Sequence, residues 1–261
     1  MSPQSKNILI IGANSAVARA VARLYCASRC RLYLLGRDPQ KLSATKEDLS
    51  GRGAVVVAAV QADLCNFSEH SALIAGAMQS LGRVDLVLFA HGELGEQEAA
   101  ENDYGKTLEL MEANFLSVVS LLIPLVTLLE KQQGAVCIAV ITSVAGDRGR
   151  RTNYIYGAAK GALSIYLSGL RQRLALTAIR VLDIKLGLVQ TPMTAHLRRG
   201  RLGVQPEHAA RGIVRAVEKR SLVAYVPRIW RIIMAVVRAI PEGIFFRLRD
   251  GYTSNKWSKK S

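Results

Sequence analysis

Short uninterrupted apolar runs alternate along the chain with longer stretches whose apolar positions recur at helical spacing. Residues 7–12 (NILIIG) form the first run, and Val17, Ala20, Val21, Leu24 and Tyr25 follow at that spacing within residues 13–28. Further runs at 31–35, 55–59, 84–89, 135–141, 179–184 and 222–226 predict strands, and residues 68–81, 102–130, 153–177 and 206–219 predict helices. Asp38 before Pro39 reads as a helix cap followed by proline in the first turn. Pro124 lacks the amide its turn needs, so the long 102–130 helix is expected to bend there. Strands apolar almost throughout, separated by amphipathic helices, imply a parallel sheet covered on both faces. The expected fold is α/β, a single doubly wound Rossmann-type sheet with ligands at the carboxyl ends of its strands. Alternation stops after Pro227, so residues 1–227 read as one unit and 228–261 as a C-terminal amphipathic extension with a tail.

With 50% apolar residues among 261, the chain is not of the disordered class. No uncharged apolar run is expected to reach the roughly 18–20 residues that span a bilayer. The short polar start, residues 1–7, lacks the layout of a secretory signal, which favours the cytoplasm. Cys26, Cys30, Cys65 and Cys137 make no CxxC pair and have no histidine at metal-ligand spacing, so no metal is expected and the thiols read as inert. Charge is uneven. Residues 1–195 hold 20 basic and 16 acidic side chains, whereas residues 196–261 hold 15 and 4, so most of the formal +15 lies in the last quarter. That surface is suited to something anionic.

The first strand–helix turn, Gly12 to Ala18, sits where a dinucleotide-binding turn belongs. Little or no side chain is wanted where backbone meets pyrophosphate, and helix N-terminal amides bind it. Gly12 is the only glycine there; Asn14, Ser15, Ala16 and Val17 complete the candidates. Asp63 after the third strand could accept from an adenine amino group. The second strand ends in Leu35-Gly36-Arg37, with Arg37 where a ribose-binding acid would stand. Arg37 suits a 2′-phosphate, which favours NADP(H), with NAD(H) the alternative. Tyr156 and Lys160, four apart on a helix, share one face. A neighbouring ammonium favours phenolate, so Lys160 is expected to lower the Tyr156 pKa and ready it for proton exchange with a carbonyl oxygen. Ser143, thirteen residues before Tyr156 at the end of the fifth strand, would bond the same oxygen.

Together these residues resemble the short-chain dehydrogenase/reductase family over about residues 6–227. The pieces stand in order: Gly12–Ala18, Asp63, Asn114, Ile141-Thr142-Ser143-Val144-Ala145-Gly146, Tyr156-Gly157-Ala158-Ala159-Lys160 and the loop from Leu186 to Met193. The resemblance implies a catalytic set of Ser143, Tyr156, Lys160 and Asn114. Tyr156 would be the general acid, Ser143 would polarise the carbonyl, Lys160 would also bind the nicotinamide ribose, and Asn114 would support a relay water. Val189 and Thr191 would hold the carboxamide, and Ala90 belongs to the cofactor-binding set. The family's NNAG segment reads Phe89-Ala90-His91-Gly92, where His91 is expected to support the sheet. Leu186 stands where proline is usual. A homodimer or homotetramer built through the long helices is also implied.

Residues 228–249 are apolar with sparse arginines, and Arg228, Arg231 and Arg238 fall within an arc of about 80° on a helix. This pattern suits peripheral contact with the inner membrane face, a subunit interface or a cover for the substrate cleft. The basic tail 256–261 would add attraction to anionic lipid. The Tyr225-Val226-Pro227 stretch and the tail resemble the branch that includes decaprenylphosphoryl-2-keto-ribose reductases. An NAD(P)H-dependent reductase of a small or lipid-linked ketone, such as a keto-sugar, is the expected function. An NAD-dependent soluble sugar or polyol dehydrogenase and a non-catalytic nucleotide-binding protein are the alternatives. No nucleic-acid partner is expected, since no aromatic–basic interleaving is present.

Overall fold

The computed structural model describes residues 5–194 and 202–248. Its first half runs β1 (Asn7–Ile11), α1 (Ala16–Cys26), β2 (Arg31–Gly36), α2 (Pro39–Gly51), β3 (Val55–Gln61), α3 (His70–Leu81) and β4 (Leu86–Phe89). Helices α4 (Gln97–Asn102), α5 (Tyr104–Met111) and α6 (Ser117–Leu129) then lead to β5 (Val136–Ser143) and α7 (Tyr154–Arg173). Strand β6 (Ile179–Leu186), α8 (Pro206–Glu218), β7 (Val223–Val226), α9 (Ile229–Ala239) and α10 (Glu242–Phe245) complete the chain. All seven strands are parallel, in the order β3-β2-β1-β4-β5-β6-β7. The order reverses between β1 and β4, and the crevice at that switch point is where such sheets hold ligands.

Strand period two assigns the core. Ile8, Ile10, Leu32 and Leu34 point to one face and pack with Val17 and Val21 of α1 and Ile213 of α8. Leu9, Ile11, Leu35 and Phe89 point to the other and meet Ile74 of α3, Leu121 and Leu125 of α6, and Leu163 of α7. Both faces are covered, as strands apolar on both sides require. All four cysteines are free thiols, three of them buried.

The predicted 102–130 helix runs from Tyr104 to Leu129 and is started by Asp103, whose carboxylate accepts from the Gly105 and Lys106 amides. A single π turn, Glu112–Leu116, joins α5 to α6, and Pro124 lies inside α6. The helix Tyr104–Leu129 is also long and apolar enough to cross a membrane by length and composition, contrary to the expectation that no run suffices. Its apolarity has another use here: half of that window is buried, and Leu121, Leu122, Leu125 and Leu129 are core residues.

The extension packs on the body. Trp230 and Met234 of α9 are buried with Val144, and Ile233 and Val237 lie against them. Burying two such side chains contributes about 1.5–3 kcal/mol each. Residue 249 and the tail 256–261 lie outside the described residues.

Candidate active site

The carboxyl ends of β1, β4, β5 and β6 place Gly12, Ala90, Ser143 and Gly187 around one crevice. Gly12 adopts φ +90°, and a Cβ there would sit 2.6 Å from the His91 nitrogen, so only glycine lets the turn close on β4. Ser15 caps α1 by accepting from the Ala18 amide at 3.4 Å. The Gly12 and Ala13 amides bond the Leu35 carbonyl and the Ser15 amide bonds Gly12. The amides of Asn14, Ala16 and Val17 make no bond among the described residues, which leaves three donors at the positive end of α1. Asn14 ties this turn to the one after β2: its Oδ1 accepts from the Asp38 amide at 3.0 Å and its Nδ2 donates to the Asp38 carbonyl at 3.2 Å. Asp38 caps α2, accepting from the Lys41 amide.

Arg37 is exposed and paired with Glu93 at 3.0 Å across the mouth of the crevice. Exposed pairs of this kind contribute little, typically below about 1 kcal/mol. Asp63 lies past β3, exposed, and accepts from the Cys65 amide at 3.0 Å.

Ser143 ends β5. Its hydroxyl donates to the Leu186 carbonyl at 3.4 Å and accepts from the Ala145 amide at 3.1 Å. Tyr156 and Lys160 lie one turn apart on α7, with the Lys160 Nζ 5.9 Å from the Tyr156 ring centroid. Burial lifts the Tyr156 phenol above its ordinary value, and the neighbouring Ser143 hydroxyl draws it partly back. The expected depression of this phenol by Lys160 is therefore corrected: the cost of a buried phenolate outweighs the ammonium, which faces the ring. Lys160 is itself pushed down to about 8 by burial, with Asp183 opposing the shift.

Asn114 stands on the π turn and is fully buried. Its Nδ2 donates to the carbonyls of Glu93 (2.8 Å) and Leu110 (2.9 Å), and its Oδ1 accepts from the Glu93 amide at 3.1 Å. It thus clips the loop after β4 to the helix. Gly92 in that loop has φ +147°, and a Cβ there would lie 2.6 Å from Asn114 Oδ1 and 3.0 Å from Lys160 Nζ. His91 supports the same loop through Ser117, Nε2 to Oγ 3.0 Å. Ser117 donates to the Ala113 carbonyl, so His91 Nε2 carries the proton in this pair. Burial, with Lys160 nearby, holds His91 down to about 3 and hence neutral.

After β6, the Thr194 hydroxyl donates to the Val189 carbonyl at 2.5 Å and accepts from the Thr191 amide at 3.1 Å. Val189 is bridged to Val204, whose bonds run to Leu188 and Gln190, so the Val189 amide is left without a partner among the described residues.

Three neighbours of this crevice were not among the site residues expected from sequence, although a cover for the cleft was one expectation for residues 228–249. Trp230 of α9 lies directly over Gly187, where any Cβ would overlap the indole. Arg148 donates to the Val237 and Ile240 carbonyls at the C-terminal end of α9, both at 2.6 Å, and pairs with Glu242 at 2.6 Å. Asp147 is ion-paired with Lys185 and accepts from the Tyr225 hydroxyl at 2.7 Å. Burial, then Asp147, pushes that phenol up to about 12.

A seven-stranded parallel Rossmann-type sheet with these residues at its carboxyl edge defines a nicotinamide-dependent oxidoreductase. The short chain dehydrogenase family profile matches residues 6–202, and the chain belongs to that family. An uncharacterized oxidoreductase of Mycobacterium tuberculosis is 30% identical over 241 residues, covering 92% of this chain and 96% of the relative. One from Streptomyces coelicolor is 31% identical over 246 residues, covering 93% and 96%. The fold is shared with a short chain dehydrogenase/reductase from Burkholderia phymatum solved with NAD (TM-score 0.80, 20% identity, 97% of this chain and 98% of that one). A short chain dehydrogenase from Burkholderia cenocepacia solved with NADP gives a TM-score of 0.80 at 18% identity, covering 96% and 100%.

Proposed function

We propose that this enzyme is an NADP(H)-dependent reductase of an apolar ketone, a keto-sugar carried on a lipid being the substrate class that best suits it, with Tyr156 as the proton donor. The observation that carries the reading is the grouping of Ser143 at the end of β5 with Tyr156 and Lys160 of α7, the Lys160 ammonium lying 5.9 Å from the phenol ring centroid.

The crevice fits a dinucleotide. Gly12 clears the approach, and the free amides of Asn14, Ala16 and Val17 would take the pyrophosphate, with Ser15 fixing the turn. Arg37 would take a 2′-phosphate, exchanging a weak exposed pair with Glu93 for charge-assisted bonds. Asp63 would face the adenine, Ala90 would line the ribose side, and the Val189 amide with Thr191 would hold the carboxamide. Lys160 would meet the nicotinamide ribose. When bound, the reduced nicotinamide supplies the hydride that adds to the carbonyl carbon. The protein's part is the proton. Ser143 donates a hydrogen bond to the substrate oxygen, Tyr156 gives it a proton, and Lys160 stabilises the phenolate left behind. A phenol kept high by burial stays protonated at neutral pH, which suits an acid in the reducing direction. Asn114 would hold a relay water as well as the loop after β4.

Residues 1–227 form the catalytic unit in this reading, and the described part of the extension, 228–248, supplies the substrate side. The Val144–Trp230–Met234 cluster gives that side an apolar wall. Exposed Tyr104, Ile123 and Ile165 on α5, α6 and α7 suit a homo-oligomer, and residues 228–249 suit contact with the inner membrane face. The branch of keto-sugar reductases acting on polyprenyl phosphates is consistent with such a wall.

The test is NADPH oxidation against a panel of ketones that includes polyprenyl-linked keto-sugars, with Tyr156→Phe alongside. Turnover of an apolar or lipid-linked ketone is expected, lowered about 10²–10⁴-fold by the substitution with dinucleotide binding retained. Full turnover by Tyr156→Phe overturns the assignment.

A further inference from the structure

A second concave site lies on the opposite edge of the sheet from β3. A cavity of about 600 Å³ opens between α8, the edge strand β7 and the start of α9. Helix α8 turns one face to it, since His208, Arg211, Arg215 and Lys219 recur at three- and four-residue spacing. Gly212 lets the helix close on the strand, because a Cβ there would come within 2.9 Å of the Val226 side chain. The rim therefore carries Arg211 and Arg215 from α8, Lys219 just after it, Arg228 just before α9 and Arg231 within it, and no carboxylate is among the described residues that line the cavity. None of these five cations makes an ion pair among the described residues. Gathering five like charges around one hollow is unfavourable unless an anion joins them.

The flank of the cavity is apolar. Ile229, Ile232 and Val236, which fall within about 60° on α9 at helical spacing, are exposed by 47, 65 and 60%, and Ile244, Phe246 and Leu248 extend the exposed surface beyond it. We propose that the cavity binds the phosphate of an anionic lipid headgroup, with the exposed α9 face beside it entering the bilayer interface. Guanidinium forks suit phosphate oxygens, and branched aliphatic side chains suit the acyl boundary. The other occupants fit less well. A second copy paired across the β7 edge would bring five cations against five. A free anion would leave the apolar flank in water. A nucleic acid strand would want a run of stacking rings, and the described lining offers only Tyr225, which is committed to Asp147, and the His208 imidazole.

The inference deepens the membrane contact named above, and rests on it but not on the reductase chemistry. Flotation of the full chain with phosphatidylcholine vesicles, with and without phosphatidylglycerol, tests it. Binding is expected only with phosphatidylglycerol and is expected to weaken steeply as salt rises. Arg211→Glu with Arg215→Glu is expected to lower partitioning about tenfold or more. Ile232→Ser with Val236→Ser is also expected to weaken it. Dinucleotide binding in solution, unchanged in all variants, certifies their fold. Flotation that survives the arginine reversals overturns the headgroup site and leaves the α9 contact standing, whereas no flotation at all overturns both. Inorganic phosphate bound in calorimetry without any vesicle binding makes this a soluble-anion site, and preference for an oligonucleotide over vesicles also overturns the proposal.

Discussion

Arg148 stacks 3.8 Å from the Phe245 ring centroid, although 97 positions of chain separate them, and so fastens the loop after β5 to the last helices. The Arg148 side chain is 12% exposed, and its guanidinium also holds two carbonyls at the end of α9, where helix polarity favours a cation. Arg148→Ala is expected to cost about 2–4 kcal/mol, from loss of charge-assisted bonds. Lysine keeps the charge but neither the fork nor the stack, so Arg148→Lys is expected to recover less than half. Urea denaturation measures the stability change, and proteolysis is expected to cut near residues 227–248 first. In the proposed reaction KM for the ketone rises while dinucleotide affinity stays.

Gly187 and Trp230 are expected to be strongly coupled. Gly187→Ala alone forces the indole aside and costs about 2 kcal/mol. In Trp230→Leu the obstruction is gone, so the same alanine is expected to cost little. A double-mutant cycle read by thermal unfolding measures this, with an interaction energy of about 1–2 kcal/mol expected. Additive effects would mean that α9 does not bear on the loop after β6.

Arg37 is expected to separate the two dinucleotides. Arg37→Ala weakens NADPH binding about ten- to a hundredfold, as loss of a charge-assisted contact would, and leaves NADH within about threefold. Fluorescence titration reads both. Equal losses for the two would assign Arg37 to its pair with Glu93 alone.

Lys160 gives activity and stability opposite responses to pH. Its folded value is about 8, below the ordinary 10.5, so the ammonium is lost as pH rises through 8. Dinucleotide affinity and kcat/KM for reduction are expected to fall there. Between pH 8 and 10.5 the unfolded chain binds the extra proton, so the Lys160 contribution to stability grows with pH across that window and is lost below 8. Lys160→Met is expected to remove both inflections, the first measured by kinetics and the second by urea titration at each pH.

The sheet was legible because each of its strands is an apolar run bounded by a turn, and all seven expected runs pair. Tyr156 and Lys160 were legible because helical spacing puts them on one face. Spacing does not report burial, so the direction of the Tyr156 shift came out opposite. The long helix was legible nearly end to end, and the Asp103 carboxylate that starts it stands two and three residues before the amides it accepts from. The π turn bearing Asn114 left no periodic trace. The contacts of Arg148 were not legible, because its carbonyl partners lie 89 and 92 residues downstream and belong to backbone. Trp230 over Gly187 is likewise a relation between shapes.

Because α9 presses on Val144 and Gly187 from outside the strand alternation, the proposed reaction would have its proton machinery and its substrate-facing wall written in separate stretches of chain. Exchanging the final helical stretch, with Arg148 kept as its fastening, is expected to change which ketone that reaction accepts.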